Sequence, residues 1–175
     1  MSASQWGRCL VLVVLLNAAS GCGYHLTNSQ SSRMFGAART IWVPFFNNES
    51  VSPSAQTVLR RAFYEEFHAL RGLSPATSAA AADLAMKAKI ISYSSKVVSY
   101  NAIDQAREFS LSLDVELEIT QKGHSSPLWK GQIKGSKQYP ANRALALQHN
   151  AEEQALDAAA RIIAHKFISA LEESY

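Results

Sequence analysis

Cys22 is the only cysteine outside the apolar run near the start of the sequence, and it directly follows Ala19-Ser20-Gly21. A disulfide would need a partner, and the one candidate, Cys9, lies inside the apolar run. A metal site would need further ligands at chelating spacing, which His25 alone does not supply. Covalent modification is therefore the chemistry that this thiol is predicted to carry.

The residues before Cys22 favour attachment of lipid. A short polar segment carrying Arg8 is followed by an apolar run over residues 9–16 and then by small residues. This is the three-part pattern of a secretory signal peptide, and it is too short to span a bilayer as a stable helix. Small residues directly before a cysteine resemble a bacterial lipobox, in which the cysteine is acylated and becomes the first mature residue. The alternative is an ordinary cleaved signal peptide beside a free cysteine.

This pattern predicts the organisation of the chain. Residues 1–21 are a lipoprotein signal peptide, residues 22–36 a lipid anchor and polar tether, and residues 37–175 a single periplasmic domain. Each buried methylene of a lipid contributes about 0.8 kcal/mol, so several acyl chains hold a protein on a membrane for good. Gly23 replaces the aspartate that commonly signals retention in the inner membrane, which favours the outer membrane. No transmembrane helix is expected in the mature chain.

Composition argues against a nucleic-acid partner. The sequence has 17 basic and 14 acidic side chains and a formal net charge of +3. Removal of the signal peptide with Arg8 leaves 16 basic side chains, a balance too even for the electrostatic footprint of a nucleic-acid binder. Because no disulfide framework exists, apolar packing must hold a single core together.

No group of residues supports catalysis or a cofactor. The five histidines are scattered, and no pair of them has the spacing of metal ligands. Gly123-His124-Ser125-Ser126 lacks the strand-to-helix elbow of a nucleophilic serine, and the sequence has no glycine-rich phosphate loop. The prediction is a protein that is not an enzyme and binds neither metal nor cofactor.

Alternating apolar and polar residues predict the strands. Residues 109–119 are apolar at every odd position and polar at every even one, which predicts a strand with one buried face. Residues 83–90 and 129–134 alternate in a similar way. Residues 39–46 form a β-rich apolar run, and Pro44 ends this strand or places it at a sheet edge. Residues 47–50 are predicted to form a turn.

Helical spacing of apolar residues predicts two helices. The first is capped by Ser52, has Pro53 at its first position and stops at Gly72. The second covers residues 142–171 with an apolar stripe that begins at Leu145, either continuous or re-capped at Asn150. The order is therefore β-α-β-β-β-α. It predicts an α+β two-layer sandwich, a four-stranded mixed sheet with two helices on one face.

Opposite charges predict how the last three strands pair. Asp114, Glu116 and Glu118 share one strand face and could bind a cation, but a solvated salt-bridge face is favoured because each faces a lysine. A shift of the strand register by one residue would move the apolar side chains to the other face of the sheet, so apolar residues must lie opposite apolar residues. The predicted register pairs Ile90 with Val115, Ala88 with Leu117, Lys89 with Glu116, Lys87 with Glu118, Leu117 with Gly131, Glu118 with Lys130, and Asp114 with Lys134.

This register leaves several basic residues without an acidic partner. They are Lys96 and Arg107 around the turn of residues 99–104, Lys122 in the turn at the opposite end, and Lys137 with Arg143 near the last helix. Beside these basic residues lie the apolar residues Val97, Val98, Tyr100 and Ile103. Such a hairpin end suits a ligand that is both anionic and apolar. The alternative is a solvated hairpin end without a ligand.

Short motifs along almost the whole mature chain resemble a known family. They are Gly21-Cys22-Gly23-Tyr24-His25-Leu26, Ile41-Trp42-Val43-Pro44-Phe45-Phe46-Asn47-Asn48, Ala82-Asp83-Leu84, Ser92-Tyr93-Ser94-Ser95 and Leu128-Trp129-Lys130-Gly131. In this order and combination they are similar to the lipopolysaccharide (LPS) assembly lipoproteins of the LptE family. That family partners the outer-membrane barrel that delivers LPS to the cell surface.

The resemblance implies a role without catalysis. Members of the family look like plugs that sit inside the lumen of an LptD-type β-barrel, support its assembly and bind LPS. The turn of residues 99–104 is expected to reach farthest into the lumen, with Tyr100, Asn101 and Ile103 as barrel contacts. The candidates for LPS binding are then the unpaired basic residues Lys96, Arg107, Lys122 and Lys137.

A second functional class stays open. The strand that ends in Pro44-Phe45-Phe46-Asn47 also resembles outer-membrane lipoproteins that activate peptidoglycan synthases or form secretion channels. Those proteins would bind a soluble enzyme domain or oligomerise. A third possibility, a periplasmic hydrolase, needs a nucleophile and a base that the sequence does not offer.

Overall fold

A computed structural model describes residues 35–48, residue 50 and residues 52–174. Cys22, the predicted signal peptide and the tether up to residue 34 lie outside the described residues. The elements in chain order are β1 (Thr40–Trp42), β2 (Asn47–Asn48), α1 (Ala55–Arg71), β3 (Ser74–Pro75), β4 (Leu84–Tyr100), β5 (Ala106–Gln121), β6 (Trp129–Pro140) and α2 (Leu145–Glu173). The predicted order is confirmed, with β2 and β3 added.

The six strands form one mixed sheet in the order β3-β1-β4-β5-β6, with β2 also beside β4. The pairs β1–β3, β1–β4 and β2–β4 are parallel, whereas β4, β5 and β6 are antiparallel neighbours. The α+β class and the mixed sheet are confirmed, and the sheet has six strands instead of four. Each added strand is only two residues long.

The predicted register of the three long strands is confirmed pair by pair. Ile90 lies opposite Val115, and Leu117 lies opposite both Ala88 and Gly131. The pairing of charges follows: Nζ of Lys87 lies 2.8 Å from Oε1 of Glu118. The pairing of β4 with β5 shifts register after Ile90, whereas β5 and β6 pair without a shift.

The ends of β1 and α1 follow from proline and glycine. β1 ends at Trp42, ahead of Pro44 as predicted. Gly72 ends α1 with a φ of 62°, a left-handed conformation that glycine adopts without strain. The predicted start of α1 was wrong by two residues, since Ser54 and not Ser52 is the N-cap. The carbonyl of Ser52 instead accepts a hydrogen bond from the N–H of Ala55, so a turn precedes the helix.

α2 is one continuous helix without a break at Asn150. Its 29 residues span about 43 Å at 1.5 Å per residue. It starts at Leu145, three residues after the predicted start, because the backbone N–H of Asn142 donates to Oε1 of Gln148 and ties the preceding loop to the first helical turn. The buried side of α2 includes four alanines, Ala155, Ala159, Ala160 and Ala164.

One core lies between the sheet and the helices. The odd residues of β5 from Leu111 to Ile119 are fully buried, and α2 packs against β5, β6 and α1. The salt bridges Arg61–Asp157 and Arg161–Glu65 also join α1 to α2. The other sheet face, which carries the lysine and carboxylate pairs, is called the open face below. No helix of the described residues is long and apolar enough to cross a membrane.

Gly135 lets α2 approach β6 closely. A Cβ atom at this position would lie 2.5 Å from the backbone oxygen of Ala159 and 2.6 Å from Cγ1 of Ile163. Because one neighbour is helix backbone, Gly135→Ala must shift α2, and we expect a loss of about 1 to 3 kcal/mol in the free energy of unfolding. Urea unfolding checks this value, with Ser136→Ala on the exposed side of β6 as the matched control. An unchanged midpoint for Gly135→Ala would contradict the close approach.

Asp83 ties β4 to β1 through three hydrogen bonds. Its Oδ2 accepts the N–H of Arg39 at 2.8 Å, the hydroxyl of Thr40 at 2.8 Å and the N–H of Thr40 at 3.0 Å. These donors, with the N–H of Arg39 first, hold the pKa of Asp83 below its ordinary value. A depressed pKa in the folded state stabilises the fold above the unfolded-state pKa, and this stabilisation is lost as the pH falls through the folded-state pKa.

We therefore expect Asp83→Asn to lower the urea midpoint at neutral pH. The difference from the unmodified chain should shrink as the pH is lowered from about 5 towards about 2, because the carboxylate is then protonated in both states. Urea unfolding followed by circular dichroism at several pH values measures this. A difference that stays constant over the whole range would contradict a role for the ionised carboxylate.

Candidate functional site

The hairpin turn between β4 and β5 is shaped by the side chain of Asn101. Its Oδ1 accepts the N–H of Ile103 at 3.0 Å and the N–H of Gln105 at 2.9 Å. Asp104 has a φ of 55°, in the left-handed region that aspartate tolerates better than most residues. Asn101 thus sets the conformation of the turn and leaves its neighbours to face outward.

Large apolar side chains are exposed around this end of the molecule. Tyr100 is 61% exposed and Ile103 is 69% exposed, both on the hairpin. Leu145 and Leu147, in the first turn of α2, are 84% and 57% exposed. The stripe predicted to begin at Leu145 therefore does not reach the core there, since the first buried residue of α2 is Ala155. The hairpin and the first turn of α2 thus each present exposed apolar side chains, which are typical of an interaction surface.

An open groove of about 540 Å³ lies between the hairpin and the loop that leads into α2. Its lining residues come from the turn, the start of β5, the loop and the first turns of α2. They are Asn101, Gln105, Ala106, Arg107, Phe109, Ala141, Asn142, Arg143 and Gln148. This surface is called the arginine groove below. Two guanidinium groups and four carboxamides line it, and no carboxylate does.

The charge of the arginine groove is positive. Arg143 donates from Nη2 to Oε1 of Gln105 at 3.3 Å, and within the described residues the guanidinium of Arg107 contacts no carboxylate. The first turn of α2 has no side-chain cap, so its backbone N–H groups add partial positive charge beside the two arginines. The geometry suits an anionic group that several donors can reach.

Hydrogen bonds within the fold hold the groove in place. The N–H of Ala141 donates to the carbonyl of Arg107 at 2.9 Å, which fixes the loop to β5. The ring of Phe109 stacks on Tyr139 with 5.5 Å between ring centroids, and the hydroxyl groups of Tyr139 and Ser95 lie 2.6 Å apart. Tyr93 donates to Glu152 on α2, and burial together with this bond raises the pKa of Tyr93.

The predicted basic residues do not lie together. Side chains alternate along a strand, so Lys96, opposite Ser110, lies on the open face, whereas Arg107 lies on the same side as Phe109 and lines the groove. Lys137 lies opposite Leu111 on the edge strand β6. Among the predicted barrel contacts, Tyr100 and Ile103 are exposed beside the groove and Asn101 lines it.

Lys122 lies at the other end of the sheet. It follows β5, and its N–H donates to the carbonyl of Asp83 at 2.8 Å. Fifteen residues of extended chain separate it from Arg107, which corresponds to about 50 Å. One ligand in the groove therefore does not reach Lys122. The groove instead contains Arg143, which the sequence marks only as a basic residue without an acidic partner.

The described residues offer no metal centre: no group of three or more histidine, cysteine, aspartate or glutamate side chains is placed to hold an ion there. The carboxylates Asp114, Glu116 and Glu118 of β5 face lysines. Nζ of Lys134 lies 3.9 Å from Asp114, and Nζ of Lys130 lies 3.4 Å from Glu118. The carboxylates that could have bound a cation are thus paired with lysines on the open face.

Solved structures share this fold at low sequence identity. A protein from Caulobacter crescentus aligns with a TM-score of 0.55 at 16% identity over 82% of this chain and 93% of its own. The rare lipoprotein B from Shewanella oneidensis aligns with a TM-score of 0.53 at 14% identity over 77% of this chain and 96% of its own. A hypothetical protein from Chlamydia trachomatis gives 0.53 at 12% identity over 79% and 98%.

Sequence comparison identifies the family. A search of curated proteins gives no match. The family model described as LptE, lipopolysaccharide-assembly, matches residues 38–171, which include every strand of the sheet and nearly all of α2. The chain therefore belongs to the LptE family of lipopolysaccharide-assembly proteins.

Proposed function

We propose that this chain is an outer-membrane lipoprotein, acylated at Cys22, that forms a complex with an LptD-type β-barrel and binds LPS during delivery to the cell surface. The arginine groove carries this proposal, because it combines two unpaired cationic groups with exposed apolar side chains at one end of the fold. Membership of the family supports the assignment to LPS assembly.

The chemistry of the groove suits a glycolipid with anionic groups and acyl chains. A guanidinium group binds a phosphate through two parallel hydrogen bonds, which makes Arg107 and Arg143 the ligands proposed for phosphate. Leu145, Leu147 and Ile103 offer apolar contacts around the groove. Lys96 and Lys137 lie outside it and are proposed only as secondary contacts with LPS, whereas Lys122 lies too far away to contact the same ligand.

The exposed hairpin is the proposed contact with the barrel. Tyr100 and Ile103 present apolar side chains to the outside, and Asn101 holds the turn that displays them. In this arrangement the domain is a plug inside the lumen of the barrel, anchored at the periplasmic face of the outer membrane, and the hairpin reaches farthest into the lumen. The protein would support assembly of the barrel without catalysis.

Affinity purification tests the proposed complex. The tagged full chain is extracted from membranes in detergent, and the proteins bound to it are identified by mass spectrometry. A large outer-membrane barrel in nearly equal amount is the expected result. Recovery of a peptidoglycan synthase, or of oligomers of this chain without a barrel, would contradict the proposal and favour the second functional class.

Acylation of Cys22 has a separate test. The intact mass of the purified chain should correspond to residues 22–175 with diacylglycerol and an acyl group on Cys22, because cleavage before this residue follows acylation of its thiol. Cys22→Ser should lack these additions and should keep residues 1–21, because cleavage before residue 22 depends on acylation of the thiol. An unmodified thiol on a mature chain would show an ordinary signal peptide instead.

A further inference from the structure

The outer edge of β6 has no neighbouring strand among the described residues. β6 pairs with β5 through twelve consecutive residues, from Glu108 opposite Pro140 to Ile119 opposite Trp129, without a register shift. An edge this long and regular presents unpaired backbone groups to an extended segment of another chain. Natural edge strands are usually short, bulged, covered or charged; β6 is neither short nor bulged, but it carries three lysines.

The register shows which backbone groups point outward. The N–H of Ala141 donates a hydrogen bond to the carbonyl of Arg107, which extends the register of β5 and β6 by one pair. Both residues of this hydrogen-bonded pair have odd numbers. In an antiparallel ladder the paired residues alternate, so the odd residues of β6 bond to β5 and the even ones point away. The outward residues are Lys130, Gln132, Lys134, Ser136 and Gln138.

A contact with α2 supports this assignment. Nζ of Lys166 donates to the backbone carbonyl of Lys134 at 2.9 Å, so this carbonyl points away from β5. Lys166 covers only that one acceptor. The outward groups from Lys130 to Gln138 extend over about 27 Å, enough for a strand of ordinary length.

The charge of the edge indicates the kind of partner. β6 contains three lysines and no acidic residue. Lys137 and Lys166 have no acidic partner among the described residues, whereas Lys134 lies near Asp114 on the open face. Antiparallel pairing of two copies centred on Lys134 would place the two Lys134 side chains directly opposite each other. Like charges opposite each other destabilise a sheet, so an acidic strand fits better than a second copy.

We propose that the outer edge of β6 pairs with an extended, acidic segment of the barrel partner, which adds a strand to the sheet. Backbone hydrogen bonds to the five outward residues supply the pairing, and Lys137 and Lys166, which have no acidic partner among the described residues, select for acidic side chains. This inference rests on the proposed complex with a barrel. It concerns a different surface from the arginine groove.

Amide hydrogen exchange tests the pairing in the purified complex. In the free full chain the outward amides of β6 should exchange quickly, and in the complex they should slow at least about tenfold. Failure to recover any barrel would contradict the proposed function itself. Recovery of the barrel with equally fast exchange at these amides in both samples would overturn only the edge pairing. Slowing in the free chain at high concentration would show pairing of two copies instead.

Two variants of Ser136 distinguish strand pairing through backbone hydrogen bonds from shielding of the edge by a partner that does not pair with it. Ser136→Pro removes an outward N–H without touching a bond to β5, whereas Ser136→Ala keeps that N–H and removes the hydroxyl. In the complex, protection of Lys134 and Gln138 should be lost in the proline variant and kept in the alanine variant. Equal protection in both would contradict the proposal.

Charge reversal gives an independent variant in case the proline variant does not fold. Lys137→Glu with Lys166→Glu should reduce protection of the outward amides to the level of the free chain. The neutral pair Lys137→Gln and Lys166→Gln should lie between this variant and the unmodified chain. Full protection in the charge-reversed variant would rule out selection of an acidic segment.

Discussion

Arg107→Glu combined with Arg143→Glu is expected to lower the affinity of the purified full chain for LPS about 100-fold. A hydrogen bond to a charged group contributes about 1.5 to 3 kcal/mol, and about 1.4 kcal/mol corresponds to a tenfold change in affinity. The two arginines act on one anionic surface, and their replacement also puts two carboxylates into a groove that has none. Titration with fluorescently labelled LPS in detergent measures the loss.

The matched control keeps the charge and changes the shape of the donors. Arg107→Lys with Arg143→Lys retains two cations but loses the bidentate geometry of the guanidinium group, so we expect an affinity between those of the other two proteins. Both variants should unfold at the urea concentration of the unmodified chain, since both side chains are exposed. Unchanged LPS affinity in the glutamate variant would contradict the assignment of the groove.

Phe167→Ala is expected to cause the largest loss of stability in the domain. Phe167 is fully buried, and its ring centroid lies 5.6 Å from that of Phe63, 6.2 Å from that of Phe67 and 5.1 Å from that of Trp129. It thus joins α2 to both α1 and β6. Truncation of a buried phenylalanine costs about 3 to 5 kcal/mol, a large part of the stability of a typical domain.

Urea unfolding of the full chain measures this effect. Phe167→Leu keeps most of the apolar volume and should cost clearly less than the alanine variant. Leu156→Ala is the comparison variant. Leu156 is buried on the same side of α2 but makes none of the three ring contacts. If Phe167→Ala unfolded at the midpoint of the unmodified chain, the aromatic cluster would not be what joins the two helices to β6.

The long strands and their register can be predicted because the pattern of apolar, polar and charged residues allows only one pairing. Alternating residues in β5 fix which face is buried, and the lysine and glutamate pairs exclude a slipped register. The confirmed pairing of Lys87 with Glu118 and of Asp114 with Lys134 shows how strongly both hairpins are determined by local pattern. Gly72 likewise ends α1 where the sequence places the stop.

The short strands and the first helical residue depend on contacts that the pattern does not contain. Asn48 pairs with Ile90 through its backbone while its Oδ1 accepts the N–H of Ser50, so one residue serves both a strand and a turn. β3 exists because Ser74 and Pro75 lie beside β1 after the end of α1. Two-residue strands have no periodicity from which they could be predicted.

The site was predicted only in part, because it is a tertiary feature. Unpaired charge near the hairpin points to Arg107, which lines the groove, and exposure of Tyr100 and Ile103 follows from the turn. Arg143 reaches the groove only because the loop after β6 folds back onto β5. Spacing along the chain also does not show that Lys96 and Arg107 lie on opposite faces.

Site-specific photo-crosslinking in living cells tests the central proposal most directly. A photoreactive amino acid replaces Gln148 or Ala106, both in the arginine groove, or His124, in the turn about 50 Å away along β5. Illumination followed by detection with an antibody against LPS should give adducts from the two groove positions and none from His124. Adducts only at His124, or at none of the three positions, would contradict LPS binding at the hairpin end.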